Sequence, residues 1–169
     1  MKFDFPQVDL PCEILAWNDV TEDILNIYKQ SCRLKAGIFA ICTEGKMTAT
    51  INLIDYEIKP NDLITLLPGT IIQFRERTEK VRLCFAGFSS ECVERINLIK
   101  SMVSSFSKIT ECPIVELQED IASYLIDYFS LLARVTCDEK LSLPSEMTEV
   151  SLRSILTAVG LIYQRYSSK

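Results

Sequence analysis

Seven cysteines, at positions 12, 32, 42, 84, 92, 112 and 137, and 23 acidic side chains are the main stock of nucleophiles, bases and metal ligands in this chain, because histidine is absent. Without an imidazole, both the commonest general base and the commonest transition-metal ligand are missing. The cysteines are odd in number, widely spaced and free of any Cys-x-x-Cys pair, which fits reduced, buried thiols better than a disulfide framework or a zinc site. None has a histidine to activate it as a nucleophile. Glu44, Asp55, Glu57 and Asp62 carry the charge to hold a hard cation, yet they lie at or beside turn residues, where carboxylates are ordinarily solvated. No catalytic residue, cofactor or metal site is assigned, and the expectation is that the chain is not an enzyme.

Composition bounds the partners. The 169 residues carry a net charge of −5, so binding nucleic acid through this chain alone would lack the basic face that displaces phosphate counterions. The one dense basic run, Arg75-Glu76-Arg77-Thr78-Glu79-Lys80-Val81-Arg82, alternates in sign and is expected to be a solvated hairpin between two strands. No apolar run approaches the roughly 20 residues that span a bilayer. Met1-Lys2-Phe3-Asp4-Phe5-Pro6 places an acid and a proline where a secretory signal has basic residues and an apolar core, so no membrane partner and a cytoplasmic location are expected.

The elements that must position these residues change character near Ser89. Lys35 to Thr43, Met47 to Asn52, Tyr56 to Ile58, Leu63 to Leu66, Ile71 to Arg75 and Val81 to Phe88 are short apolar or alternating segments bounded by turn residues. Glu44-Gly45-Lys46 between the first two predicts a hairpin. A run of short strands with no helix between them means a barrel or sandwich. Beyond Ser89 the apolar period lengthens from two to about three and a half. Ser89 or Ser90 caps a first helix carrying Val93, Ile96, Ile99, Val103 and Phe106 on one face. After a break at Thr110 to Pro113, a second helix has Ile114, Leu117, Ile121, Tyr124, Tyr128, Leu131 and Val135 on one stripe, with Ala122, Leu125, Phe129 and Leu132 beside it. Ser145 caps a third, with Leu152, Ile155, Val159, Ile162 and Tyr166 at the same spacing. The expected fold is therefore α+β, a small antiparallel β-barrel over residues 1–89 followed by a C-terminal helical segment over 90–169. The two apolar stripes of the second helix need two partners, either a neighbouring helix of the same chain or a second copy.

The order Gly-Ile-Phe-Ala-Ile-Cys-Thr-Glu-Gly (37 to 45), Tyr-Glu-Ile-Lys-Pro-Asn-Asp-Leu (56 to 63), Leu-Pro-Gly-Thr-Ile-Ile-Gln-Phe (67 to 74) and then amphipathic helices resembles the cupin-type regulatory half of AraC-type transcription factors. In that family the barrel binds a small effector, the helices dimerise, and a separate C-terminal domain with helix-turn-helix units binds promoter DNA. The resemblance implies a sensing and dimerisation domain, a homodimer, and a DNA-binding domain beyond residue 169. A free-standing metal-free cupin with no DNA role remains the alternative, ahead of a cupin enzyme.

Position by position, Ile72 stands where metal-binding cupins carry a ligand histidine, and Phe74 where related sensors place an inward aromatic. The last strand would turn Leu83, Phe85 and Gly87 inward, and Arg33 lies near the ligand-contacting arginine of the sugar-binding members. Arg33, Ile72, Phe74, Leu83 and Phe85 are thus the pocket candidates. Leu117, Ile121, Tyr124, Tyr128, Leu131 and Val135 are the dimer-face candidates. Asn61 replaces the glycine usual before the turn aspartate, and asparagine tolerates the positive φ required there. The inner face is apolar, which argues against a simple sugar as effector and fits a filled core equally well.

Overall fold

The computed structural model describes residues 5–10, 12–17, 30–77, 80–95, 103–137 and 144–167. Among the described residues, ten strands form two five-stranded sheets. In chain order they are β1 (Gln7–Val8), β2 (Ile14–Trp17), β3 (Cys32–Leu34), β4 (Gly37–Glu44), β5 (Met47–Ile51), β6 (Ile54–Ile58), β7 (Asp62–Leu66), β8 (Ile71–Arg77), β9 (Arg82–Phe88) and β10 (Ile114–Glu116). The outer sheet has the order β1-β3-β8-β5-β6 and the inner sheet β10-β7-β4-β9-β2. Among the described strands the pairings are antiparallel except that of β1 with β3. Four helices are described: α1 (Ser90–Arg95), α2 (Val103–Glu111), α3 (Glu119–Cys137) and α4 (Ser145–Ser167). The fold is α+β, with the four described helices following β9 and β10 interposed between α2 and α3. Among the described residues no helix is long and apolar enough to cross a membrane.

The layering follows from hydrophobic pattern. β4 is the central strand of the inner sheet, and its run Gly-Ile-Phe-Ala-Ile-Cys is buried without alternation. A strand covered on both faces has no solvent side to make polar. Ile38, Ala40 and Cys42 point between the sheets, while Phe39 and Ile41 point into a second core that holds the helices. β5 in the outer sheet alternates buried Met47, Ala49 and Ile51 with half-buried Thr48 and Thr50, because only one of its faces is covered. In the helical core, Phe39 and Phe88 meet edge to face with ring centroids 6.4 Å apart. Such a pair adds about 0.5–1.5 kcal/mol beyond the area it buries.

Two expected hairpins are instead crossings between sheets. β4 belongs to the inner sheet and β5 to the outer, so Gly45, at φ 81°, turns the chain from one layer to the other. Likewise β8 pairs with β3 and β5, whereas β9 pairs with β4 and β2. The mixed-charge run therefore begins on β8 of one sheet and ends at Arg82 of β9 in the other, and residues 78–79 within it lie outside the described residues. Turn-forming residues mark a reversal without saying which layer the next strand joins.

The helical half also departs from expectation. Ser89 does cap α1, its hydroxyl accepting from the Cys92 amide at 3.4 Å. The first helix, expected to run to Phe106, is described as two, α1 and α2, with residues 96–102 outside the described residues. The second does not start at Ile114. Ile114, Val115 and Glu116 pair with Ile64, Leu63 and Asp62 as an added edge strand. Pro113 cannot extend the strand's ladder as a donor, but its carbonyl accepts from Thr65 N at 2.9 Å. The β-branched Ile114 and Val115 then favour extension, and α3 begins only at Glu119. The third helix begins at Ser145, and Leu152, Ile155, Val159 and Ile162 are buried on one face. The expected Tyr166 of that stripe lies outside the described side chains.

Candidate functional site

The space between the two sheets is lined by apolar side chains from both. Ile72 on β8 is 1% exposed, and it faces Ile51 on β5 and Cys32 on β3 across the outer sheet. Leu83 and Phe85 on β9 enter from the inner sheet, Phe85 beside Ala40. Phe74, paired with Ala49, is half-buried against the same cluster. The structure thus brings Ile72, Phe74, Leu83 and Phe85 together, and Gly87 with them beside Ile38. The buried members of this cluster are aliphatic, aromatic, thioether or thiol side chains. Such a surface suits apolar contents and offers few partners to hydroxyl groups.

Arg33 is not part of that lining. Its neighbours Cys32 and Leu34 are in the cluster, so strand alternation sends Arg33 to the opposite face. There its guanidinium donates to the Gly69 carbonyl at 2.9 Å and secures the Pro68-Gly69 turn. Asn61 adopts φ 73°, the conformation expected of the residue replacing glycine. The buried Asp62 carboxylate accepts from Lys59 N at 2.9 Å and Lys59 Nζ at 3.0 Å, and Lys59 also pairs with Glu116 of β10 at 3.3 Å. These polar groups hold the barrel edge together.

The thiols are poorly placed for nucleophilic chemistry. Burial pushes Cys42 up to about 11 and Cys84 up to about 12, so both stay protonated at neutral pH. They sit on adjacent strands but on opposite faces, Cys42 between the sheets and Cys84 in the helical core. Cys12 and Cys112 are exposed, and each thiol donates to a main-chain carbonyl two residues on at 3.1 Å.

Barrel and helices share one sheet, and several polar contacts reinforce the join. The Asp9 carboxylate accepts from Ser90 N at 3.0 Å and from the Ser90 hydroxyl, at the start of α1. Arg95, at the end of α1, bridges Glu13 (2.5 Å) and Glu149 of α4 (2.9 Å). The Arg95 guanidinium holds the Glu13 carboxyl below the usual carboxylate range. Tyr163 of α4 donates to the Cys112 carbonyl at 2.7 Å.

α3 lies across β2 and β9, and its candidate dimer-face residues divide by exposure. Leu117 precedes the helix, is 4% exposed, and donates its amide to Asn61 O; it belongs to the chain's own core. Ile121, Tyr128 and Val135 are half-buried. Tyr124 is 67% exposed and Leu131 44%. Beside Tyr124 a groove of about 550 Å³ opens between α3 and α4, lined by Ile121, Leu125, Ala158, Leu161, Ile162, Gln164 and Arg165. The α4 side of this groove was not foreseen from the sequence. Its signal is Leu161, which stands off the buried stripe of Leu152, Ile155, Val159 and Ile162 and is 58% exposed.

No family model matches the sequence, and neither does any curated protein. Among solved structures the chain is similar to the AraC-like transcriptional activator CuxR, with a TM-score of 0.49 at 9% identity over 86% of this chain and 47% of that one. It is also similar to an apo ToxT variant from Vibrio cholerae strain SCE256, with a TM-score of 0.45 at 12% identity over 92% of this chain and 55% of that one. A further structure of ToxT from Vibrio cholerae gives 0.40 at 10% identity, over 95% and 54%. The chain spans about half the length of each.

Proposed function

We propose that this chain is the effector-sensing and dimerisation half of an AraC-type transcription regulator, cytoplasmic and without catalytic activity, whose promoter DNA is bound by a separate helix-turn-helix domain beyond residue 169. The observation that carries this proposal is the inner sheet. Along β4 and β9, alternate residues face alternate compartments: Ile38, Ala40, Leu83 and Phe85 the space between the sheets, and Phe39, Ile41, Cys84 and Phe88 the helical core. A ligand that moves the first set by a few tenths of an ångström must move the second, because close-packed interiors transmit displacement. The effector shifts the arrangement of the helices only by its different affinity for the two arrangements. The apolar lining argues for an effector that is mainly apolar and against a simple sugar.

In this scheme residues 1–89 sense and residues 90–169 dimerise, through the outer side of α3. Leu131→Asp is expected to give monomers in sedimentation, and an unchanged dimer rejects that face. The regulator assignment is tested by sequencing the native reading frame beyond the codon for Lys169. A basic, helical continuation with helix-turn-helix spacing supports it, and an immediate stop codon leaves a free-standing cupin that binds a ligand or partner without DNA.

A further inference from the structure

We propose that the groove between α3 and α4 is filled by Tyr124 of a second copy of this chain, so that each protomer supplies one aromatic knob and one socket to a two-fold interface. This rests on the dimerisation proposed above and specifies its surface. Knob and socket are adjacent: two groove walls, Ile121 and Leu125, stand three residues before and one after Tyr124 on α3. A two-fold interface requires a patch that is complementary to itself, and a protruding ring beside an apolar recess meets that requirement. The recess is mainly apolar, with Ile121 and Leu125 on α3 and Ala158, Leu161 and Ile162 on α4, beside the polar Gln164 and Arg165. Tyrosine, like tryptophan, brings a large contact area to such a recess for little loss of conformational freedom, which is why it recurs where binding energy concentrates.

The charges are complementary in the same sense. Asp120 and Asp127 flank Tyr124 at i−4 and i+3 and are exposed, so the knob carries carboxylates on its own helix face. The socket carries Arg165 at its rim. Among the described residues neither Asp127 nor Arg165 makes an ion pair. Seating Tyr124 of the partner subunit in the groove brings that subunit's acidic turn towards Arg165, and the two-fold axis repeats the match. A neutral apolar partner would leave Arg165 and Asp127 at the edge of a dry contact without counterions, which disfavours it.

The test uses the full chain with Cys12, Cys112 and Cys137 replaced by serine, into which Tyr124→Cys and Leu161→Cys are introduced separately. Sedimentation of the parent is measured first and is expected to give a dimer. Mixing the two single variants under a mild oxidant is expected to give a covalent dimer in several-fold greater yield than either variant alone. Ala158→Trp, which plugs the groove from within, is expected to raise the dimer dissociation constant at least about tenfold, the scale of losing one aromatic anchor. A dimeric parent whose mixed variants do not cross-link overturns the knob-and-groove pairing and leaves dimerisation through another part of α3. A parent that sediments as a monomer at every concentration overturns both.

Discussion

The phenol of Tyr163 donates to the main-chain carbonyl of Cys112 at 2.7 Å, tying the penultimate turn of α4 to the chain that enters β10. β10 is hydrogen-bonded to β7, so one bond connects the last helix to the barrel edge. Tyr163→Phe keeps the ring in the helical core and removes only the hydroxyl. The expected loss is about 1 kcal/mol, the net worth of an ordinary hydrogen bond. For a chain of this size that lowers the melting temperature by about 2–4 °C. Hydrogen exchange distinguishes the latch from a general weakening: the amides of β10 are expected to exchange faster while those of β4 do not.

The β5–β6 hairpin carries a conflict between residue type and backbone. Ile51 pairs with Ile54, leaving Asn52 and Leu53 as a two-residue turn with φ of 49° and 69°. Both positive values mark the turn that matches strand twist and prefers Asn-Gly. Asn52 fits, and its carboxamide oxygen accepts from Ile71 N at 3.0 Å. Leu53 does not fit, and it is 70% exposed, so packing returns nothing for the strain. Leu53→Gly is expected to stabilise by about 0.5–1 kcal/mol, the left-handed penalty less the added freedom of the unfolded chain. Urea denaturation at neutral pH measures it, and a destabilised variant would show that the leucine makes a contact worth more than the strain.

The barrel strands were legible because each imposes its own period. Met-Thr-Ala-Thr-Ile in β5 alternates as a one-sided strand must, and Ile72 and Phe74 fell on one face by parity alone. Layer membership was not legible, since Gly45 permits the same reversal whether the next strand pairs with the last or crosses to the other sheet. The continuous burial of β4 was the available clue to which sheet carries the helices. β10 was missed because Ile114 and Leu117 extend the three-four spacing of α3 backwards by chance, and only pairing with β7 overrides it. Arg33 was misplaced among pocket candidates because its assignment came from approximate position in a family pattern; the alternation of Cys32 and Leu34 around it gives the correct face.

Gly87 sits under the N-terminal segment. A Cβ built there would lie 2.8 Å from Leu10 Cδ1 and 3.7 Å from Ile38 Cγ1. Leu10 therefore packs over the gap that glycine leaves at the end of β9. Gly87→Val is expected to lift Leu10 away, because the leucine side chain can yield whereas the sheet cannot. Residues 5–10 then keep the β1–β3 pairing, the packing of Val8 on the inter-sheet cluster and Asp9 on Ser90, but lose the cover of Leu10. The measurement is limited proteolysis, with faster cleavage near Leu10 and an unchanged digestion pattern within the barrel. Equal protection in both proteins would show that Leu10 does not secure the segment.

Stability should be flat through neutrality and fall at both ends of the pH range, because a chain without histidine has no side chain whose ordinary pKa lies between about 5 and 8. On the acid side, the Glu13 carboxyl is held low by Arg95; at Asp9 burial acts to raise the pKa, but the hydrogen bonds from Ser90 outweigh it. Both carboxyls are depressed in the folded state, so their contribution is present above the ordinary values of 3.8 and 4.5 and is lost as pH falls through the lower folded values. On the alkaline side, burial raises Cys42 to about 11 and Cys84 to about 12, from an ordinary value of 9.0. Their contribution is fully present below 9.0 and declines as pH rises towards the folded values, since the unfolded thiols ionise first. Tyr163 acts in the same direction, its phenol raised by burial. Cys84→Ala removes the most raised thiol. Against the wild type it is expected to be less stable at neutral pH, where a core side chain is lost, yet to lose stability less steeply above pH 9. Urea midpoints at neutral and alkaline pH check this, and parallel slopes in the two proteins would show that Cys84 titrates alike folded and unfolded.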